Sequence, residues 1–241
     1  MNLVIDLGNT RLKAAVFKSD QLVLSFFLEY HKINDFQNLI DISLIDHIAI
    51  TAVKKVPESL LKLLNKWNKP LLYVDSKTPL PINLNYDTPA TLGSDRICNV
   101  VAGSTIFPDQ NVLIIDLGTC NKYDFIDEKG NYYGGSIAAG FKMRLDAMHE
   151  FTANLPLIKT EQTDEFIGKS TKSSMETGTY WGVVGEINEF IRQYQSRFND
   201  TKVVATGGYL SYFEKVLKNF IFADPNLTLK GLNSILNFQK D

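Results

Sequence analysis

Val4-Ile5-Asp6-Leu7-Gly8-Asn9-Thr10 and Ile114-Ile115-Asp116-Leu117-Gly118-Thr119-Cys120 carry the same Asp-Leu-Gly, each time at the end of an apolar run. The two aspartates stand 110 residues apart in a chain of 241, so the repeat period is close to half the chain and points to a duplicated domain. A strand that ends in Asp-x-Gly sets a carboxylate at its tip and follows it with a tight turn where bare backbone can approach a phosphate. Two such turns facing each other are expected to form a nucleotide clamp.

The pattern around each copy repeats as well. Strands are expected over 3–7, 11–17 and 21–29, and again over 112–116, 121–126 and 131–138, where Gly130 supplies the positive φ that the turn before the last strand favours. Alternating helix and strand signals follow each meander. In the first half these are a short apolar helix near 35–45, strand 46–52, a helix over 57–68 opened by Pro57, and strand 70–74. In the second half they are helices near 141–150 and 171–197, strand 202–206, a helix near 208–218, strand 220–223 and a last helix near 231–238. A proline-rich irregular stretch over 76–89 precedes a helix near 94–107 that bridges the halves. Two βββαβα units make an α/β fold with mixed sheets flanked by helices, divided as 1–110 and 111–241.

Composition excludes several classes. With 25 basic against 27 acidic residues and no long single-sign run, neither nucleic acid nor a membrane is an expected partner. The start has no basic region before its apolar run, and no segment approaches the roughly 18 apolar residues of a membrane span, so a cytoplasmic protein is expected. Cys98 and Cys120 lack zinc-site spacing and read as small buried hydrophobes. His31, His47 and His149 neighbour no metal-ligand pattern, and no Gly-x-Ser-x-Gly elbow or Walker loop occurs. Trp67, Trp181, Phe190, Tyr194 and Phe198 fall at helical spacings and read as core or subunit-interface residues.

In the first turn, residues 8–11 offer backbone N–H groups, Thr10 a hydroxyl, and Arg11 and Lys13 positive charge, all suited to a phosphate. A plain surface hairpin also uses Asp-x-Gly, but the duplicated surroundings favour the phosphate reading. Asp6 and Asp116 at paired strand ends then suit a divalent cation bridging phosphates, directly or through water. Gly93-Ser94-Asp95-Arg96 opens a helix, and two readings stand. Ser94 or Asp95 is an N-cap, or Asp95 is a general base with Arg96 beside it to bind an anionic acceptor. Thr206-Gly207-Gly208 closes a strand and opens a helix, where a nucleoside can lie on bare backbone; Thr51 is its counterpart in the internal repeat. Gly134-Gly135 and Thr152-Ala153-Asn154-Leu155-Pro156 fit ligand contact and close packing equally.

Taken together, six motifs in this order resemble the type III pantothenate kinases, within the superfamily of actin, hexokinase and the heat-shock chaperone ATPases. They are Asp6-Leu7-Gly8-Asn9-Thr10, Gly93-Ser94-Asp95-Arg96, Asp116-Leu117-Gly118-Thr119, Gly134-Gly135 with Thr152 to Pro156, Ser170-Thr171 ahead of Gly178, and Thr206-Gly207-Gly208. The resemblance runs from Met1 to about residue 230. It implies two ribonuclease H-like halves of an actin-like ATPase fold with a nucleotide cleft between them, and the phosphorylation of pantothenate by ATP and magnesium, the first step of coenzyme A synthesis. By resemblance ATP is bound by Asp6, Leu7, Gly8, Asn9, Thr10, Arg11, Leu12, Lys13, Thr119, Thr206, Gly207 and Gly208. Asp95 is the catalytic base, and pantothenate is held by Gly93, Ser94, Asp95, Arg96, Thr171 and a tyrosine placed at Tyr86. Asp6 serves magnesium, Asp116 binds a monovalent cation, potassium or ammonium, and the enzyme is a homodimer with the acceptor site at the subunit boundary, so that contacts from Thr171 cross between chains.

Two positions depart from the family. After Asp116-Leu117-Gly118-Thr119 the family continues Ala-x-Thr-x-Asp, where this chain has Cys120-Asn121-Lys122-Tyr123-Asp124. Strand alternation sets Lys122 on one face with Cys120 and Asp124. Turned into the cleft, its ammonium reaches a phosphate or takes the place of the monovalent cation, and potassium dependence weakens; turned outward, it changes nothing. Ala139 stands where the family has proline, loosening a turn. Two other readings remain: a non-catalytic nucleotide-binding regulatory protein of the same fold, and a kinase for another small alcohol.

Overall fold

The computed structural model describes residues 1–217 and 222–240 and divides into two compact units. The first comprises Met1–Pro108, Gly130–Tyr132 and the segment from Asn226 onward; the second comprises Asp109–Lys129 and Tyr133–Pro225.

The first unit opens with β1 (Asn2–Leu7), β2 (Arg11–Lys18) and β3 (Gln21–Glu29), followed by β4 (His47–Ala52), α1 (Glu58–Trp67), β5 (Leu71–Tyr73), the two-residue β6 (Asn83–Leu84) and α2 (Ser94–Ile106). Its sheet has the order β3-β2-β1-β4-β5, with antiparallel hairpins on one side of β1 and parallel β4 and β5 on the other. All six residues of β1 are buried, as expected of a central strand covered on both faces. Leu3, Ile5 and Leu7 of β1 join Leu12, Ala14 and Val16 of β2 in one core with Phe36, Ile48 and Leu60.

The second unit holds β7 (Val112–Leu117), β8 (Cys120–Ile126), β9 (Asn131–Ala139), α3 (Phe141–Glu150), α4 (Thr171–Arg197), β10 (Lys202–Thr206), α5 (Leu210–Leu217) and β11 (Phe222–Ala223). Its strand order, β9-β8-β7-β10-β11, repeats that of the first sheet. The expected mixed-sheet α/β fold with duplicated halves is therefore present. Asn131 and Tyr132, which open β9, cluster with the first unit, where they pair with β6 in parallel. Leu113, Ile115 and Leu117 of β7 pack with Tyr123, Phe141 and the inner face of α4.

Three elements differ from expectation. Residues 35–45 form no α-helix: 3₁₀ turns run over Tyr30–Asn38 and Ile42–Leu44. Their buried anchors in the first run, Ile33 and Phe36, are three residues apart, and i and i+3 eclipse in the 3₁₀ geometry. Pro57 is the N-cap of α1 and stands one residue ahead of its first turn. The last helix, α6 (Leu227–Phe238), begins four residues earlier than its apolar pattern suggests, behind an Asn226 N-cap. Although it lies at the far end of the chain, it packs against α2, β1 and β4 and clusters with the first unit. The end of the expected 208–218 helix and the start of the expected 220–223 strand lie outside the described residues.

Gly231 makes the α6–α2 approach possible, because a Cβ there would fall 1.7 Å from the Cys98 carbonyl oxygen. Asn2 Nδ2 donates to Asn233 Oδ1 and to Asn237 Oδ1, both at 2.8 Å, and so stitches the first strand to α6.

Candidate active site

In the first unit the register places Asp6 opposite Lys13 on β2 and opposite Thr51 on β4. Asp6 is buried, whereas Asn9 and Thr10 are exposed at the turn and Gly8, Arg11 and Lys13 are half-buried. Leu7 and Leu12 send their side chains into the core, so they can offer a nucleotide only backbone. Arg11 lies 4.5 Å from the centroid of the Phe27 ring. The turn is braced from below: Tyr30 Oη donates to Gly8 O at 2.6 Å, and Lys54 Nζ donates to Asn9 O at 3.3 Å while sitting 3.2 Å over the Tyr30 ring. Burial, with the Asp6 charge second, pushes the Tyr30 hydroxyl up to about 12, so it stays a donor.

The start of α2 lies beside the end of β4. Thr51 Oγ1 donates to Ser94 Oγ at 2.6 Å, and Ser94 Oγ reaches Ala52 O at 3.5 Å. Neither Ser94 nor Asp95 is the N-cap; that position belongs to Gly93. Asp95 is half-buried, and its Oδ1 accepts the Arg96 N–H at 2.9 Å. A Cβ on Gly93 would come within 2.5 Å of that same oxygen, so glycine is what lets the carboxylate fold back here. Arg96 is only 5% exposed, and its Nη1 lies 3.5 Å from Tyr86 Oη. Tyr86 in turn stacks on Tyr132, with centroids 6.1 Å apart and planes at 16°. The tyrosine placed by resemblance alone thus meets the arginine assigned to the same ligand.

Cys98 is fully buried one turn into α2, and burial, then the Asp6 and Asp95 carboxylates, push its thiol well above its usual range. Both aspartates therefore act electrostatically on one buried group. Among the described residues no cluster of three or more His, Cys, Asp or Glu side chains is placed to hold a metal. A divalent ion at Asp6 would rest on one carboxylate, water and phosphate, the donor set magnesium favours.

The second unit repeats the corner. Asp116 lies opposite Lys122 on β8 and opposite Thr206 on β10, as Asp6 lies opposite Lys13 and Thr51. The expected correspondence of Thr51 and Thr206 is a matter of register. The second turn is one residue shorter, since Leu117 pairs with Asn121 where Leu7 pairs with Leu12. Gly140 N–H donates to Thr119 O at 3.2 Å, and a Cβ on Gly140 would fall 2.4 Å from that oxygen. Gly207, at φ +106°, allows equally close approach to Leu117, whose carbonyl accepts the Tyr209 N–H at 2.9 Å. Thr119 and Gly208 are exposed beside this junction, and Thr206 Oγ1 is buried with no hydrogen-bond partner among the described residues. A buried hydroxyl left unpaired is costly, and a phosphate or nucleoside oxygen would satisfy it.

Lys122 Nζ lies 2.7 Å from Asp116 Oδ2, with the side chains 19% and 13% exposed. A free monovalent cation does not fit this carboxylate as the resemblance implies, because a fixed ammonium already binds it. Thr171 is exposed at the first position of α4, behind a capping box formed by Ser170 and Ser173. Gly135 is explained by packing, since a Cβ there would strike the Tyr123 carbonyl at 1.8 Å. Thr152 turns back to cap α3 through Met148 O at 2.6 Å.

Sequence reasoning missed the Tyr30–Lys54 brace and a part-buried network in the second unit. There Glu186 accepts from Tyr123 Oη at 2.7 Å, from Asn121 Nδ2 at 3.3 Å and from Arg144. No short motif marks either, because each joins residues far apart in sequence. A cavity of about 1220 Å³ between β8, β9 and the second half of α4 is walled by Phe125, Phe190, Tyr194 and Phe198, and none of the residues assigned above to ATP or acceptor lines it.

The chain matches the family model of type III pantothenate kinases over residues 2–193. It is 39% identical over 238 residues to the type III pantothenate kinase of Bacteroides fragilis, covering 99% of this chain and 98% of that one. With the type III pantothenate kinase of Christiangramia forsetii it shares 41% over 242 residues, at 100% and 99% coverage. Among solved structures, a putative Baf family transcriptional activator from Campylobacter jejuni is similar at a TM-score of 0.64 and 18% identity, with 99% and 98% covered. A putative 2-dehydro-3-deoxygalactonokinase from Sinorhizobium meliloti follows at 0.61 and 12%, with 99% of each chain covered; both likenesses concern the fold alone. With the family model matched over most of its length and full-length relatives near 40% identity, the chain belongs to the type III pantothenate kinase family.

Proposed function

We infer that the protein transfers the γ-phosphoryl group of ATP to the primary hydroxyl of pantothenate, the first step of coenzyme A synthesis. Family membership supports the reaction, and the observation that carries it to particular residues is the opening of α2. There a half-buried carboxylate, Asp95, stands next to a buried guanidinium, Arg96, that reaches Tyr86. In this reading Arg96 and Tyr86 bind the anionic end of pantothenate, since a desolvated guanidinium is the strongest carboxylate partner a chain can offer. Asp95 accepts a hydrogen bond from the acceptor hydroxyl and orients it in line with the γ-phosphorus. As the new O–P bond forms and the bond to the β–γ bridging oxygen breaks, the hydroxyl proton passes to Asp95 and ADP leaves. Catalysis of this kind rests on positioning and charge.

The nucleotide assignments follow the two corners. In the first unit, residues 8–11, Thr10 and Lys13 meet phosphate oxygens, and Asp6 holds magnesium directly or through water. Magnesium, when bound, neutralises charge developing on the phosphates. In the second unit Thr119, Thr206, Gly207 and Gly208 contribute, supported by the unpaired Thr206 hydroxyl. Potassium or ammonium at Asp116 is not part of this reading, because Lys122 already pairs that carboxylate.

The kinase acts as a cytoplasmic homodimer, with Thr171 completing the acceptor site of its partner. Phe151, Leu157, Phe166 and Ile167, all exposed in the segment leading to Thr171, supply an apolar surface for that contact. Sedimentation of the purified protein at the mass of two chains checks it. The activity itself is tested by a coupled assay of ADP release with pantothenate against a panel of small polyols and hydroxy acids. Turnover with pantothenate alone is the expected result, and equal turnover with another alcohol overturns the assignment.

A further inference from the structure

Asp116 is the second copy's strand-end carboxylate, and the β7–β8 register sets Lys122 directly across from it. The ammonium lies 2.7 Å from Oδ2, and both side chains are largely withdrawn from water. A surface pair of this kind contributes little, but a carboxylate this far from solvent is costly unless a cation stays with it. A lysine ammonium is chemically an ammonium ion with one hydrogen replaced by a carbon stem, a compact charge with three donors. A second cation at the same oxygens would meet a like charge.

We propose that Lys122 is a built-in monovalent cation, standing where potassium or ammonium would otherwise neutralise Asp116, and that this kinase needs no added monovalent salt. Tethering makes the charge independent of the salt outside, since the partner is always at hand. The first copy has a lysine, Lys13, in the same register position opposite Asp6, so the strand geometry already accommodates one there.

The proposal rests on the pantothenate kinase reading, and its test separates the two. The wild-type enzyme is assayed with the Tris salt of ATP, with tetramethylammonium chloride exchanged for potassium chloride at constant ionic strength. Equal rates in both salts are expected. A rate that needs potassium overturns the proposal, whereas no turnover in either salt overturns the kinase reading instead. Lys122→Thr and Lys122→Met should lose roughly 10- to 100-fold without potassium, the scale of one charged hydrogen bond, and Lys122→Thr should regain activity with potassium or ammonium. A salt-independent Lys122→Thr enzyme as fast as wild type overturns the proposal. As a readout independent of turnover, the melting temperature of Lys122→Thr should rise in potassium relative to tetramethylammonium while that of wild type does not; a potassium-stabilised wild type counts against the proposal.

Discussion

Asp95 carries the most at the scale of single residues. Its neighbours are fixed for reasons unrelated to one another: Gly93 leaves room for Oδ1, Ser94 is tied to Thr51, and Arg96 is buried against Tyr86. Asp95→Asn keeps the volume and removes the proton acceptor. Turnover should therefore fall by about 10²- to 10⁴-fold, the usual contribution of general base catalysis, while the affinity for ATP measured by calorimetry stays near wild type. Near-normal turnover would remove Asp95 from the role. What was legible here was residue type and spacing. The sequence left Asp95 between cap and base, and the structure gives the cap to Gly93. It could not disclose Tyr30 and Lys54, which reach the first turn from β3's far end and from beyond β4.

Among the elements, the hairpins were the most readable, because apolar alternation, Asp-x-Gly turns and Gly130 are local signals. The last helix was read with a late start, at 231 where α6 begins at Leu227. Gly231 lies inside α6, and a glycine's cost in a helix is about 1 kcal/mol relative to alanine. The structure shows why it is kept: the backbone of α2 occupies the space of its side chain. Gly231→Ala should consequently destabilise, despite alanine's better helix propensity, by about 1–3 kcal/mol or more as α6 is pushed from α2. A thermal scan should show the midpoint lowered by about 2–12 °C or more, at about 2–4 °C per kcal/mol for a protein of this size. An unchanged or raised midpoint would mean that the two helices adjust freely. The 3₁₀ turns over Tyr30–Asn38 were missed for a related reason, since two anchors three residues apart fit either helix type until the packing is known.

On the scale of the whole molecule, the duplication was legible and the division of the chain was not. The halves share strand order and register down to the Asp–Thr and Asp–Lys pairs, yet the first unit closes with residues from the far end of the chain. Leu227, Leu229, Leu232, Ile235 and Leu236 of α6 are all buried. At about 1.5–3 kcal/mol each they contribute on the order of 10 kcal/mol, comparable with the about 5–15 kcal/mol that stabilises a typical protein. A chain ended at Pro225 should leave the first unit unfolded, with hydrogen exchange protection lost across β1 to β5 and retained in β7 and β8. Uniform protection in the truncated chain would show that α6 is dispensable.

The stitch from Asn2 to Asn233 and Asn237 also bears on the order of events at the ribosome. Proteins made from the N-terminus normally complete their leading domain first. Here the leading unit lacks a wall until the last helix has left the exit tunnel, whereas the trailing unit has all its strands by Ala223. The half synthesised second is the one able to finish first, and the segments made earliest stay with β1 and α2 unclosed until α6 has been made.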